Sequence, residues 1–66
     1  MKIKINGEIK EVSDNITIFD LIKSLNLKLD RIVVEYNKTI LNRDDYVKIT
    51  IKEGDSLELI HFVGGG

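Results

Sequence analysis

The hydrophobic pattern changes its period twice along the chain, and this limits the fold more than any other feature. Apolar and charged residues alternate in "MKIKINGEIK" (1–10), as in a strand with one buried face. In residues 18–25 the apolar residues recur at the i, i+3, i+4 and i+7 spacing of one helix face. Alternation then returns in "VKITI" (47–51) and "SLELIHFV" (56–63). The pattern predicts a sheet with one short helix packed across it.

A hairpin is predicted near the start of the chain. Asn6 and Gly7 both tolerate the positive φ of a type I′ turn, and a second strand then covers residues 8–12. A two-residue turn pairs Ile3 with Lys10, whereas a three-residue loop with a β-bulge shifts that pairing. The sequence leaves both registers open, and we favour the two-residue turn.

The helical segment has a start signal and a stop signal. Thr17 is the expected N-cap and Asp20 its partner at the N3 position. Asn26 is expected in the left-handed conformation that ends a helix, with Leu27 folding back. Because so short a helix is marginal by itself, it must be held by packing against the sheet. The predicted buried helix face consists of Ile18, Leu21, Ile22 and Leu25.

The second half of the chain is predicted to form strands joined by turns. "RIVVEY" (31–36) is rich in β-branched and aromatic residues and is typical of a buried strand. Residues 39–41 suit a short strand, residues 42–46 a polar connection or a single helical turn, and residues 47–51 another strand. Gly54 supplies the unusual φ of the turn before the last strand.

This element order predicts an α+β fold. Two hairpin-linked strands, a crossover helix and further strands make a mixed sheet of four to five strands with one main helix on one face. The first and last strands are expected to run parallel at its centre, which is the arrangement of the ubiquitin-like β-grasp. We assign residues 1–63 to a single β-grasp domain and residues 64–66 to a flexible glycine tail.

The composition argues against several classes of function. A 66-residue chain with no cysteine and one histidine offers neither a disulfide nor a zinc cluster, so no metal or bound cofactor is expected. A net charge of −1 lacks the basic surface that binds nucleic acid. No apolar run is long enough to span a membrane and no signal peptide is visible, so we expect a cytoplasmic protein. No motif supplies a nucleophile, a base and an orienting group, which disfavours an enzyme.

The last predicted strand has two different faces. Leu57 and Leu59 should face the helix, so Ile60 and Phe62 point to the side of the sheet without a helix. Large apolar side chains there, beside the tail, indicate a docking surface, and we assign Ile60, Phe62 and Val63 to partner docking. The alternative is that they are scattered surface hydrophobes.

The chain ends in Gly64, Gly65 and Gly66. Three extended residues reach roughly 10 Å, and without a Cβ they fit a channel too narrow for other residues. The α-carboxylate of Gly66 is ionised at neutral pH and is a poor electrophile, so acyl chemistry there needs activation, for example by adenylation. The chain has no phosphate-binding glycine loop, so a second protein must supply the nucleotide. The alternative is a frayed terminus.

The whole chain resembles the ThiS family, the ubiquitin-like sulfur carrier proteins of thiamine biosynthesis. The resemblance rests on the opening alternation with its Asn-Gly turn, the helix in "TIFDLIKSLNL", the stretch "RIVVEYNKTILNRDDY" and the ending "EGDSLELIHFVGGG". Their order and spacing extend over all 66 residues. The chain departs from the family's terminal diglycine by a third, preceding glycine, which lengthens the reach of the tail.

The resemblance implies a role for each part of the C-terminus. A ThiF-type adenylyltransferase would use ATP and magnesium to adenylate Gly66, and sulfur from a cysteine-derived persulfide would replace AMP to leave a thiocarboxylate. Thiazole synthase, ThiG, would then take the sulfur. Gly64 and Gly65 would thread into the partners, and Ile60 and Phe62 would dock to them. The chain would be a protein co-substrate rather than an enzyme.

Other functions fit the same fold. The small subunit of molybdopterin synthase shares the terminus, but it is typically longer and has proline near its glycines, whereas this chain has no proline. A thiocarboxylate carrier for another acceptor and a ubiquitin-like modifier that forms an isopeptide bond at Gly66 are also open. A plain β-grasp binding module would not need its glycines.

Overall fold

The computed structural model describes residues 1–62, and all structural statements refer to this part of the chain. It contains five strands, one α-helix and two short 3₁₀ turns. The strands are β1 (Lys2–Ile5), β2 (Glu8–Glu11), β3 (Ile32–Tyr36), β4 (Thr39–Ile40) and β5 (Ser56–His61). The helix α1 is Ile18–Ser24, and the 3₁₀ turns are Leu29–Arg31 and Arg43–Asp45.

The strands form one mixed sheet in the order β2-β1-β5-β3-β4. The first and last strands, β1 and β5, run parallel at the centre, and the other neighbouring strands are antiparallel. The helix packs on one face of this sheet. The predicted α+β fold, a ubiquitin-like β-grasp with parallel central strands, is confirmed.

The first hairpin has the register of the two-residue turn. Ile3 is paired with Lys10. Asn6 and Gly7 adopt φ values of 51° and 82°, as a type I′ turn requires. This register places β2 at the outer edge of the sheet, where all four of its residues are exposed.

Helix α1 begins and ends with the predicted capping interactions. The backbone N–H of Asp20 donates to Thr17 Oγ1 at 3.1 Å, and the Thr17 N–H donates to the Asp20 carboxylate at 3.0 Å. At the other end Asn26 has a φ of 59°, and the Leu27 N–H donates to the carbonyl of Ile22 at 3.2 Å. This is the Schellman motif, and it stops the helix.

The prediction for Leu25 was wrong. The helix ends at Ser24, and Leu25 is the C-cap residue with 44% of its surface exposed. Because the chain reverses at Asn26, the last turn of the predicted apolar face lies beyond the packed part of the helix. The other three predicted positions are buried.

The predicted strand at residues 47–51 was also wrong. The Ile49 N–H donates to the carbonyl of Asp45, so the chain is still turning at this point. Only Thr50 forms a β-bridge, an isolated one with Thr17.

The alternation in this segment has another cause. The Ile51 N–H donates to the carbonyl of Ile16 at 2.9 Å, and the Ile18 N–H donates to that of Ile49 at 3.1 Å. The segment therefore crosses residues 16–18, at the start of α1, instead of joining the sheet. Ile51 is buried and Ile49 half-buried, so the apolar residues still face the core.

The hydrophobic core lies between α1 and the sheet. Its fully buried side chains come from the helix and from the strands β1, β3 and β5. These side chains are Ile3, Ile18, Leu21, Ile22, Val34 and Leu57. The one α-helix in residues 1–62 has seven residues, and no helix in this range has the length and apolarity needed to cross a bilayer.

Candidate functional site

The strand that leads to the glycine tail is fixed at the centre of the sheet. Antiparallel pairing joins β5 to β3 from the Leu57–Tyr36 pair to the His61–Ile32 pair. One residue further on, the Phe62 N–H donates to the carbonyl of Arg31 at 2.7 Å. The backbone is therefore held up to the last described residue.

A side chain holds the other edge of β5. Parallel pairing with β1 ends at the Ile5–Leu57 pair. Beyond it, the Leu59 N–H donates to Asn6 Oδ1 at 2.8 Å, and Asn6 Nδ2 donates to the Leu59 carbonyl at 3.3 Å. The Asn6 amide thus replaces one further backbone pair. From the sequence, Asn6 was expected only in the turn, because nothing local indicates this contact.

The two faces of β5 differ as predicted. Leu57 and Leu59 are buried beneath α1, whereas Ile60 and Phe62 are 53% and 57% exposed on the side of the sheet without a helix, the open face. Ile60 is paired with Val33 of β3, which is half-buried. The exposure of Ile60 and Phe62 is what docking requires, and their role in docking stays a prediction.

Two carboxylates lie next to each other on the open face. Glu58 of β5 is directly paired with Glu35 of β3, and neither is in an ion pair within residues 1–62. Like charges opposite each other lower the stability of a sheet. Sequence reasoning missed this pair because it depends on the register between strands that are 20 residues apart.

The beginning of β5 is held by a hydrogen-bond network around Asp55. The Tyr36 hydroxyl donates to Asp55 Oδ2 at 2.5 Å, the Lys52 N–H donates to the same oxygen at 2.8 Å, and Asn37 Nδ2 donates to Oδ1 at 3.2 Å. The Ser56 N–H in turn donates to Asn37 Oδ1 at 2.9 Å. The network joins the turn before β5 to the turn after β3.

The network shifts the pKa values of its two titratable groups. Burial raises the pKa of Tyr36 to about 12, and the hydrogen bond to the negatively charged Asp55 adds to the effect. Burial alone would raise the pKa of Asp55, but hydrogen bonds from Tyr36, the Lys52 backbone and Asn37 outweigh it and lower that pKa. A neutral phenol that donates to a carboxylate fits a structural role.

His61 lies on the helix side of the sheet, on the same face as Leu57 and Leu59. It is paired with Ile32, and its Nε2 is buried without a hydrogen-bond partner within residues 1–62. In the described part of the chain, no three His, Cys, Asp or Glu side chains are grouped so that they could hold a metal ion. The predicted docking residue Val63, the tail residues Gly64 and Gly65 and the attachment residue Gly66 lie outside the described residues.

The fold and the exposed end of its central strand define a ubiquitin-like β-grasp protein. The model of the ThiS family matches residues 3–66 of the chain. The chain is 37% identical over 65 residues to the sulfur carrier protein ThiS of Bacillus subtilis. This match covers 97% of this chain and 98% of that protein. The chain belongs to the ThiS family, and the resemblance found in the sequence is confirmed.

A solved structure and a longer relative agree with this assignment. The crystal structure of the thiamine biosynthesis protein ThiS from Geobacter metallireducens superposes with a TM-score of 0.85 at 29% identity, and the match covers 100% of both chains. The thiazole synthase of Magnetococcus marinus is 35% identical over 66 residues. The chain spans only 20% of the length of that thiazole synthase.

Proposed function

We propose that this chain is a sulfur carrier of thiamine biosynthesis that carries sulfur as a thiocarboxylate on Gly66. The observation that carries the proposal is the match to the ThiS family, which extends through the last glycine. The fixed central strand supports it, because β5 is bonded on both sides and leads directly to the glycines. A fixed strand gives the glycine tail a defined starting point, from which a docked partner can reach the reactive end.

The proposed chemistry at Gly66 has three steps, of which the first is activation of the carboxylate. A ThiF-type adenylyltransferase transfers AMP from ATP to the Gly66 carboxylate in the presence of magnesium, and pyrophosphate leaves. The terminal sulfur of a persulfide donor then attacks the acyl carbon and displaces AMP. A further thiol cleaves the resulting S–S bond, and the thiocarboxylate remains on Gly66. The nucleotide and the metal belong to the activating enzyme, and this chain contributes the acyl group.

Thiazole synthase is the proposed acceptor of the sulfur. A segment similar to this whole chain makes up about one fifth of the thiazole synthase of Magnetococcus marinus, which supports a functional link between the two. Transfer of the sulfur to the thiazole precursor, with an oxygen from the precursor or from water replacing it on the acyl carbon, returns Gly66 to a carboxylate. The chain is then ready for another round and acts as a co-substrate rather than as a catalyst.

Docking to both partners is proposed to use the open face beside the tail. Ile60 and Phe62 expose apolar surface there, and each is held at the backbone, Ile60 by its pairing with Val33 of β3 and Phe62 by its hydrogen bond to the Arg31 carbonyl. In the sequence Val63 lies between Phe62 and the glycines. Contacts by such anchored apolar residues commonly supply a large share of binding energy.

The proposed chemistry is tested by the intact mass of the protein after incubation with ATP, magnesium, a sulfide source and a ThiF-type enzyme. We expect a gain equal to the replacement of one oxygen by one sulfur, located on the C-terminal peptide. Removal of Gly65 and Gly66 should abolish the gain. Removal of Gly66 alone is the matched control, because it leaves a diglycine end and tests only the extra reach. No gain with an enzyme that is active on another carrier contradicts the proposal and favours a modifier or a binding module.

The docking role is tested separately with Ile60→Ser and Phe62→Ser. We expect each to lower kcat/KM for adenylation by about tenfold or more, with little change in stability, because the removed side chains are exposed. Val47→Ser is the matched control, because Val47 is 60% exposed and lies outside the sheet. Normal adenylation of both the Ile60 and the Phe62 variant would show that the partners bind elsewhere.

A further inference from the structure

The outer edge of β2 has a feature that the carrier function does not explain. Within residues 1–62, β2 is paired only with β1, so its other edge is free. Ile9 at the middle of this strand is 70% exposed, more than the other exposed large apolar residues. A free edge with an exposed β-branched residue can accept another strand.

The hydrogen-bond pattern shows which groups point outward from this edge. The N–H of Val12 donates to the carbonyl of Met1, and the Met1 amino group donates to that of Val12, both at 2.8 Å. Hydrogen-bonded and non-hydrogen-bonded pairs alternate along an antiparallel ladder. Ile9 and Glu11 are therefore in non-hydrogen-bonded pairs with β1 and direct their N–H and C=O groups away from it.

Only a few registers allow a second copy of β2 to bind these groups symmetrically. An antiparallel pairing centred on Lys10 places Lys10 opposite itself. Pairings centred on Glu8 or Glu11 likewise place a glutamate opposite the same glutamate. Like charges in directly opposite positions disfavour all three of these registers.

The register centred on Ile9 is self-complementary. Ile9 then lies opposite Ile9 of the second copy in a hydrogen-bonded pair, and Glu8 lies opposite Lys10 on each side of it. Within one chain Glu8 and Lys10 already share a face of β2, with Oε1 and Nζ 3.3 Å apart. In the pair of copies these residues would form an alternating cluster of four charges.

We propose that two copies of this chain associate through β2, antiparallel about a two-fold axis at Ile9, to form a continuous ten-stranded sheet. The axis is perpendicular to the sheet, so both open faces lie on the same side. β1 separates β2 from β5, which leaves Ile60 and Phe62 accessible in the dimer. The interface comprises one short strand from each copy, well below the roughly 1,200 Å² of stable complexes, so the dimer is weak and concentration-dependent.

The charge pairing gives a direct test by sedimentation velocity from micromolar to millimolar concentration. Glu8→Lys places lysine opposite Lys10 twice and should raise the dimer Kd at least about tenfold. Combining it with Lys10→Glu restores opposite charges and should return the Kd to within about threefold of the original. Glu11→Lys is the matched control, since it makes the same charge change opposite Gly7 of the second copy and should leave the Kd unchanged.

Amide hydrogen exchange supplies a second readout. The Ile9 amide should gain protection as concentration rises, whereas the Glu8 and Lys10 amides are protected at all concentrations by their bonds to β1. A monomer at millimolar concentration overturns the proposal. So does a dimer that Glu8→Lys leaves intact, or one that forms without protection at Ile9. This test is independent of sulfur transfer, so its outcome does not depend on the proposed function.

Discussion

Leu57 and Ile60 lie three residues apart on β5 and are nearly the same size, but their side chains lie in different environments. Leu57 points towards α1 and is 0% exposed, whereas Ile60 points to the open face and is 53% exposed. Their neighbours differ in the same way. Leu57 shares its face with the buried Val34, and Ile60 shares its face with the Glu58–Glu35 pair.

The difference shows which face supports the fold and which is available for recognition. Burial of apolar area contributes roughly 25 cal/mol per Å², and only the covered face receives this contribution in full. The open face keeps apolar side chains in water and two carboxylates opposite each other, neither of which stabilises the isolated chain. Surface of this composition is explained more simply by a partner than by folding.

The largest expected effect is on the free energy of unfolding, and it distinguishes the face that α1 covers from the open face. Leu57→Ala should lower the free energy of unfolding by about 2–5 kcal/mol, because it removes buried methyl groups and leaves a cavity. Ile60→Ala, three residues away on the same strand, should change it by at most about 0.5 kcal/mol. Urea denaturation measures both. Similar losses for the two variants would mean that the open face also supports the fold.

A substitution of Tyr36, at the edge of the face that α1 covers, should have an intermediate effect on stability. Tyr36 is paired with Leu57, and its hydroxyl binds Asp55. Tyr36→Phe should cost about 1.5–2 kcal/mol, because a hydrogen bond to a charged group is lost. Thermal unfolding at neutral pH measures this loss. An unchanged Tm would show that the Tyr36–Asp55 hydrogen bond does not stabilise the start of β5.

The same pair predicts the pH dependence of stability. The pKa of Tyr36 is about 12 in the folded chain against 10.0 ordinarily, so its contribution is complete below pH 10 and is lost as the pH rises towards 12. The pKa of Asp55 is lowered, so its contribution is present above the ordinary value of 3.8 and is lost as the pH falls through the lowered value. Tyr36→Phe should remove the alkaline loss that is due to this residue, as measured by denaturation at a series of pH values.

A substitution of Asn6, in the turn that follows β1, should have a smaller effect on stability. Asn6→Gly keeps the positive φ of the turn but removes both bonds to Leu59, and we expect a cost of about 1 kcal/mol and faster exchange of the Leu59 amide. Asn15→Gly is the matched control, because Asn15 also has a positive φ, of 60°. If the two variants behave alike, the Asn6 side chain does not hold β5.

The smallest effect is expected on the open face and has the opposite sign. Glu58→Gln removes the repulsion from Glu35 and should stabilise the free chain by about 0.2–1 kcal/mol. Glu11→Gln is the control, since Glu11 is paired with Lys2 and the same substitution should there be neutral or slightly destabilising. Both are measured at micromolar concentration. Destabilisation by Glu58→Gln would contradict the view that the open face is not arranged for stability.

Much of the fold was predictable because its signals are local. The capping box of Thr17 and Asp20, the Asn6 turn and the left-handed Asn26 are properties of a few consecutive residues. The alternation in β5 correctly assigned Leu57 to the core and Ile60 to the open face, because side chains of a strand alternate whatever its neighbours are. The resemblance to the ThiS family was likewise contained in the order of these signals.

Except at Leu25, the errors and omissions arose where residues far apart in the chain meet. The alternation of residues 47–51 was real, but it did not show that their backbone would bond to the entry of α1. The helical spacing of residues 18–25 likewise did not show that Leu25 would fall beyond the packed part of the helix.

The sequence by itself determined the Asn6–Gly7 turn, the capped helix, the faces of β5 and the family of this protein. The tertiary structure alone decided that the Asn6 side chain binds Leu59, 53 residues away, that Glu58 faces Glu35, and which groups of β2 point outward. The physical reason is that backbone conformation depends mainly on neighbouring residues, whereas hydrogen-bond partners and opposing charges depend on the register between strands.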